Sequence, residues 1–270
     1  MDKALPKISI VTPSFNQGVF LEETIQSVLS QNYPNLEYII IDGGSKDNSV
    51  DIIKQYASRL TYWESERDRG FGHAINKGFA RATGSIICWL NSDDVLLPGA
   101  LLAVGKYFAQ YPDTGLVFGD RHIINDRSEL LSKRKYFFYL PGQLRFAKTL
   151  PQECTFWRRE AFEKAGPYLN EELKFAIDLE LWCRLSKVTT FAHIPFFLGS
   201  FRDQPLSKST TLLDLGRRER QQVVRQHFNH YPSPLGLKLY QFWLTTLRRF
   251  YRAFGLETLK RRNILNAIKP

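Results

Sequence analysis

Apolar and polar positions follow two alternating periods along the first half of the chain. "ISIVTPSF" (Ile8 to Phe15) is a β-branched run that reads as a strand, and Phe20 to Leu29 repeats its apolar residues at helical spacing. "LEYIIIDGG" (Leu36 to Gly44) predicts a second strand closed by a glycine pair, and "SVDIIKQYA" a helix capped near Asn48 or Ser49. "LTYWESE" predicts a third strand, "GHAINKGFARAT" a helix and "SIICWLN" a fourth strand. "PGALLAVGKYFAQY" predicts a further helix with Pro98 in its first turn. This alternation points to an α/β fold with a parallel sheet covered on both faces.

Sheets of that kind bind ligands beyond the carboxyl ends of their strands. The polar loops after the four strands are "TPSFNQG", "DGGSKDNS", "ERDRGFGHAIN" and "NSDD", and all four should meet at one edge. The second half is less regular. "TGLVFGDRHII" and "LLSKRKYFF" read as strands, "QECTFWRRE" as the entry to a short helix, "FAIDLELWCRLSK" as a helix and "VTTFAHIPFFLGSFRD" as strand. From Leu206 the pattern is helical, broken by "YPSPLG".

Composition narrows the class. Of the 270 residues 43% are hydrophobic and 14% aromatic, which builds a core and excludes wholesale disorder. Three scattered cysteines (Cys88, Cys154, Cys183) make neither a disulfide framework nor a zinc site and suit a reducing cytoplasm. The N-terminal residues carry no apolar segment of the signal-peptide kind, and no run approaches a membrane span. The net charge of +10 is confined to the tail: from Leu215 onward 12 Lys/Arg stand against 2 Asp/Glu, while the preceding residues balance.

The adjacent carboxylates Asp93 and Asp94 close the fourth strand. They can be a solvated turn, or their repulsion can be offset by a divalent cation, since Mg²⁺ and Mn²⁺ take oxygen ligands from one or two carboxylates plus substrate phosphates. Their position beside three other ligand loops favours the metal. Asp42, ending the second strand, is either part of a glycine turn or a fixed acceptor for a base or ribose edge. No dinucleotide or P-loop glycine pattern occurs, so a nucleotide would be bound another way.

"ISIVTPSFNQGVFLEETIQSVLSQNYPNLEYIIIDGGSKDNS" and "DRGFGHAINKGFARATGSIICWLNSDD" together resemble the family 2 glycosyltransferases of GT-A fold, with the likeness running to about Ser209. The resemblance implies a mostly parallel, Rossmann-like nucleotide-binding sheet (residues 1–97) merged with an acceptor-binding half (98–210), followed by a basic helical extension (211–270). It also implies sugar transfer from a nucleotide diphosphate donor, a UDP-sugar by preference, with inversion and with Mg²⁺ or Mn²⁺ as cofactor. Matched by motif, Thr12, Pro13 and Ser14 would line the nucleoside pocket and Asp42 would contact the base. Asp68 would be a second nucleoside-side carboxylate, with Asn76 and Lys77 beside it. Asp93 would approach the ribose or the metal, and Asp94 would be the direct metal ligand; Asn91 stands where many members carry Asp.

In the second half, Asp178 matches the family's general base, a role worth ~10²–10⁴-fold in rate, although an acidic residue there also suits a helix start. Gln152 and Glu153 would lie near the acceptor, and Arg202, Lys208 and Ser209 would contact phosphate. Gln204 takes a place where a His often stands, and no Q-x-x-R-W run marks a processive synthase. The acceptor would be a glycan or a lipid-linked molecule in cell-surface polysaccharide biosynthesis. The competing reading is a non-catalytic nucleotide- or glycan-binding module in a membrane-associated assembly.

The tail places Leu237, Tyr240, Leu244, Leu247 and Tyr251 on one helical face, accompanied by Lys238, Arg248, Arg249 and Arg252. That face either packs on the body or meets an anionic membrane, with Trp243 at the interface. Nucleic acid is not expected, because the tail is more apolar than a phosphate-tracking patch. The expected location is the cytoplasm, with the inner face of the plasma membrane as the surface the tail would reach.

Overall fold

The β-branched runs become strands buried on both faces. In the computed structural model, which describes residues 4–136, 139–140, 142–205 and 207–254, β1 (Ile8–Ser14) is buried at every position. It pairs in parallel with β2 (Leu36–Asp42), from Ile8 opposite Leu36 to Ser14 opposite Asp42. β3 (Tyr62–Ser65) extends the sheet beyond β2 and β4 (Ile86–Trp89) flanks β1 on its other side, both parallel. Helices α1 (Gly18–Leu29), α2 (Ser49–Tyr56) and α3 (Phe71–Arg81) are the crossovers. Parallel strands need this cover, which is why their sequences are near-continuous apolar runs. The predicted elements of this half are all present, with ends shifted by two residues or fewer.

Pro98 is an exception in detail. α4 (Ala100–Gln110) starts after Gly99, which caps it at φ 79°, so Pro98 lies before the helix and not in its first turn. The two-residue β5 (Val95–Leu96) was also not foreseen.

The second half mixes parallel and antiparallel pairings. β6 (Thr114–Ile124) carries β7 (Leu130–Arg134) antiparallel on part of its length. "QECTFWRRE" was expected to enter a helix directly. It forms instead a single 3₁₀ turn (Gln152–Cys154), then β8 (Thr155–Arg158), and only then α5 (Arg159–Ala165). This strand follows the 3₁₀ turn and enters α5 without a turn signal at either end; its place is set by pairing antiparallel to both β4 and β6. β9 (Thr190–Arg202) runs parallel to β6 and, at its far end, antiparallel to β5. The described strands thus form one sheet in the order β3-β2-β1-β4-β8-β6-β9-β5, with β7 on β6.

Helix α6 (Ile177–Leu185) is fixed to this sheet by aromatic packing. Trp182 stacks on Trp89 of β4 with centroids 6.0 Å apart and 10° between planes, and meets Trp157 of β8 edge-on at 5.3 Å. Its N-terminus is capped from a distance: the carboxylate of Glu219 in α8 (Leu213–Phe228) accepts hydrogen bonds from the backbone N–H of Lys174, Phe175 and Ala176 at 2.9, 2.8 and 2.9 Å. α7 (Lys208–Thr211) leads into α8, whose Val223 and Val224 are core residues. α9 (Pro234–Ala253) lies against the body through Leu244, which is buried, and through Tyr240, stacked on Phe146 at 3.8 Å. All three cysteines are buried free thiols. No described helix is long and apolar enough to cross a membrane.

Candidate functional site

The loops after β1 and β2 are built as one unit. Asn16 takes a left-handed conformation (φ 52°), its N–H donating to Ser45 Oγ at 2.8 Å while its Oδ1 accepts from the Lys46 N–H at 2.8 Å. Asp42 holds the second loop from beneath. Its carboxylate, fully buried, accepts from the N–H groups of Gly44 (3.1 Å) and Ser45 (2.9 Å) and from the hydroxyls of Ser45 (2.5 Å) and Ser65 (2.7 Å). Asp42 points these acceptors into its own loop and into β3 and lies outside the cavity lining, so the base contact expected of it is not what its position offers. Gly43 is required at the next position: a Cβ there would lie 2.7 Å from Asp68 Oδ2. Asp68 in turn accepts the N–H of Gly70 at 2.7 Å, where φ of 120° turns the chain into α3.

Above these loops opens a cavity of about 1050 Å³. The β1 loop contributes Pro13, Ser14, Phe15 and Gln17, and the β2 loop Gly43 to Lys46. The β3 loop contributes Ser65 to Asp68 and Phe71, the β4 loop Asn91, Ser92 and Asp93, and the segment after β9 Gln204 and Ser207. All four loops expected to converge do so, joined by a fifth. The cavity sits at the carboxyl ends of the parallel strands. Its lining carries Lys46 and Arg67 against Glu66, Asp68 and Asp93.

The two adjacent carboxylates part company. Asp93 lines the cavity and accepts from Gln204 Nε2 at 2.8 Å. Asp94 is buried behind it, 1% exposed and outside the lining, accepting from the Arg202 N–H at 2.9 Å and Asn91 Nδ2 at 2.9 Å. Burial, and then the charges of Asp93 and Glu153, pushes the Asp94 carboxyl well above the usual carboxylate range. The expected repulsion is thus relieved within the fold, and the direct metal contact assigned to Asp94 is not what its position offers. Asn91 Oδ1, buried at the cavity wall, has no hydrogen-bond partner among the described residues; neither has Ser14 Oγ. An orphaned amide oxygen beside an Asp carboxylate is an oxygen donor set of the kind Mg²⁺ and Mn²⁺ accept, and the residues present fit such an ion. No group of three His, Cys, Asp or Glu side chains able to hold a metal occurs among the described residues.

Several residues expected at the site are engaged elsewhere. Arg202 is fully buried, not a phosphate contact: its guanidinium donates to the carbonyls of Asp93 (2.8 Å) and Asn125 (2.9 Å), to Ser128 Oγ (2.9 Å) and to Glu23 Oε2 (2.6 Å). Thr12 is buried against the Tyr38 hydroxyl at 3.1 Å. Asn76 ties α3 to the Leu169 backbone through both ends of its amide (2.9 and 2.7 Å), and Lys77 pairs with Glu64. These two lie outside the lining because they fall on the flank of α3 rather than at its first turn. Gln152 Nε2 donates to the Trp89 carbonyl at 2.7 Å, and Glu153 is buried beside Arg121 at 3.6 Å. The backbone of Lys208 and Ser209 begins α7; their side chains lie outside the described residues.

Asp178 occupies the first turn of α6, half-buried, accepting from Thr149 Oγ1 at 2.9 Å. It is outside the cavity lining; the preceding Ile177 packs close to Gly72 of α3, where a Cβ would lie 3.4 Å from its Cδ1, one residue from the lining residue Phe71. Burial raises its carboxyl above the ordinary range, with the Thr149 hydroxyl pulling the other way. Glu180 faces Arg184 at 2.9 Å. Phe15, Lys46, Ser65, Arg67 and Ser207 line the cavity without having been singled out; each stands within a few residues of a strand's carboxyl end or of a loop already marked.

Comparison with known proteins agrees with this architecture. A PGL/p-HBAD biosynthesis glycosyltransferase of Mycobacterium bovis is 29% identical over 203 residues, 71% of this chain and 75% of that one. An uncharacterized glycosyltransferase of Rickettsia typhi is 27% identical over 198 residues, covering 68% of this chain and only 60% of the relative's length. Among solved structures, S. aureus TarS 1–349 in complex with UDP-GlcNAc aligns with a TM-score of 0.65 at 17% identity, over 97% of this chain and 80% of that one. The mannosyltransferase PcManGT from Pyrobaculum calidifontis, in complex with GDP-Man and Mn²⁺, aligns with a TM-score of 0.60 at 18% identity, over 98% and 73%. These likenesses establish the GT-A fold. The model of the glycosyl transferase family 2 matches residues 9–166, more than half of the chain, and the protein belongs to that family.

Proposed function

We propose that the protein transfers a sugar, with inversion, from a nucleoside diphosphate sugar to a hydroxyl of a glycan or lipid-linked acceptor in cell-surface glycan synthesis. The carrying observation is the cavity at the sheet's carboxyl edge, where five loops bring together an exposed aromatic face, hydroxyls and the Asp93 carboxylate. Phe15 offers a surface for a base, and Ser14 Oγ a hydrogen-bonding group not already engaged. UDP is the preferred nucleotide on the strength of TarS, which is solved with UDP and UDP-GlcNAc; GDP-Man in PcManGT is the alternative the experiment must separate.

Charge supports a divalent cation. Two basic and three acidic side chains line the cavity, so an anionic diphosphate would enter a lining of net negative charge. Mg²⁺ or Mn²⁺ held by Asp93 and Asn91 Oδ1, with Gln204 orienting the carboxylate, would neutralise charge on the leaving diphosphate. Asp94 then acts behind Asp93 by fixing Asn91 and the Arg202 backbone. On the acceptor side Asp178 takes the hydroxyl proton as the acceptor oxygen bonds to the anomeric carbon. The bond from that carbon to the diphosphate oxygen breaks on the opposite face, and the nucleoside diphosphate leaves. Trp182, one turn after Asp178, stacks on Trp89, two residues before Asn91, so base and donor pocket share one rigid support.

Thermal shift with UDP, GDP and their sugars, with and without Mn²⁺, tests the reading. Ligand at about 100 times Kd adds about 2.7 kcal/mol of stability, a clear rise in Tm. Asp93→Ala should lose the Mn²⁺-dependent part, while Asp94→Asn, whose amide oxygen can still accept from Asn91 Nδ2 and leave Asn91 Oδ1 open, should keep it. Asp178→Asn should bind donor normally and lose turnover. Full turnover by Asp178→Asn, or undiminished Mn²⁺ dependence in Asp93→Ala, overturns the assignment of that residue.

A further inference from the structure

Helix α9 has two apolar faces, and among the described residues only one is packed. The face seen in the sequence, with Leu237, Tyr240, Leu244, Leu247 and Tyr251, turns toward the body: each is buried or half-buried, and Tyr240 stacks on Phe146. A second stripe points outward. Leu235, Leu239, Phe242, Trp243 and Phe250 fall at i, i+4, i+7, i+8 and i+15 and are 66, 59, 72, 48 and 50% exposed. A solvated helix packed on a domain has no need of this. Its outer face should be polar, and contiguous exposed apolar surface of this kind marks a contact.

We propose that this outer stripe is a docking surface for an anionic lipid bilayer. Charge complementarity selects the occupant. Lys238 and Arg249, both exposed, flank the stripe on one side of the helix, and the protein's whole net charge of +10 resides from Leu215 onward. A second copy of the chain would bring the same excess of positive charge to the same place and be repelled. A bilayer carrying anionic headgroups accepts both features at once: the ring edges of Phe242 and Trp243 enter the interface while the bases meet phosphates.

The placement also connects with the chemistry. Phe146, on which α9 rests, ends the 3₁₀ turn Gln143–Phe146, and three residues on Thr149 donates to Asp178. The membrane helix and the proposed base are thus supported by one short segment, which suits an acceptor presented from a lipid. The docking itself does not depend on the donor chemistry, and its test uses none.

The test is co-sedimentation of the full chain with vesicles of phosphatidylcholine alone and of phosphatidylcholine mixed with phosphatidylglycerol. Binding should favour the anionic vesicles and weaken as salt rises, by about fivefold in affinity per basic side chain engaged. Phe242→Ser with Trp243→Ser should weaken it by more than about tenfold. Lys238→Glu with Arg249→Glu should abolish the preference for anionic lipid. Because these side chains are exposed, the melting temperature should stay at the parent value; Leu235→Ser with Leu239→Ser probes the same stripe independently. Equal binding to both vesicle types, or none to either, overturns the proposal. So does a dimer that Phe242→Ser with Trp243→Ser converts to monomer while leaving vesicle binding unchanged.

Discussion

Asp93 and Asp94 are neighbours in sequence with opposite environments, one at a cavity wall and one beneath it. Nothing in "NSDD" distinguishes them, because the turn that follows β4 decides which carboxylate faces out. That turn is closed by the Asp94 N–H donating to the Asn91 carbonyl at 3.1 Å and by contacts to Arg202, remote in sequence. The same limit explains Asp42 and Asn76: residue type and loop were legible, direction was not. Asp178 allows a prediction at this scale. Its carboxyl is raised by burial and lowered by the Thr149 hydroxyl, which bonds the ionised form. The acid limb of transfer should therefore lie above the ordinary Asp range. Thr149→Val removes the bond that favours the ion, so the limb should move to higher pH, and Thr149→Ser should restore it. A pH profile of kcat/KM identical in Thr149→Val and the parent would exclude this coupling.

Among the elements, those of the first half were legible because parallel strands buried on both faces leave near-continuous apolar runs, as in Ile39 to Ile41 and, interrupted only by Ser9, Ile8 to Val11. β8 was not, since its four residues are specified by partners on either side rather than by its own pattern. The end of β9 illustrates the same dependence on distance. Arg202 joins that strand to the β4 loop, to α1 through Glu23, and to the β6–β7 turn through Asn125 and Ser128. Removing it as Arg202→Met leaves carbonyls and a carboxylate without a fully buried donor. A loss of about 1–3 kcal/mol for each buried carbonyl left without its donor is expected in denaturant titrations, with little from Glu23, whose carboxylate is 44% exposed. Arg202→Lys should not recover it, because one ammonium cannot reproduce a planar fork of donors. The Mn²⁺-dependent thermal shift should fall with it, as the backbone of Asp93 is among the groups released.

On the scale of the molecule the sheet has two poles. At the end opposite the cavity, Glu37 ties the starts of the strands together: its carboxylate accepts from Ser9 Oγ (2.5 Å), the Thr83 N–H (2.6 Å) and Thr83 Oγ1 (2.7 Å), with Lys7 Nζ at 2.9 Å. Burial opposes the ion, yet these bonds outweigh it and bring the carboxyl from 4.5 down to about 2. Being lowered, it contributes stability that is complete above its unfolded value and lost as pH falls from 4.5 through about 2. The amount is about 3 kcal/mol. Glu37→Gln should be less stable at neutral pH and show a shallower acid limb in that window, read by urea unfolding at stepped pH. An unchanged acid limb would show that other carboxylates govern it.

The sheet also determines how substrates come and go. β4, β8, β6 and β9 belong to one sheet, with register shifts along the β6–β9 pairing, and Arg202 bolts the end of β9 to the β4 loop, so the described strands form one body. Among the described residues, a nucleotide bound as proposed would meet no pair of separate lobes able to shut on it. Admission, enclosure and release of the proposed substrates would then fall to side chains at the cavity's own rim, Lys46, Arg67, Gln204 and Ser207.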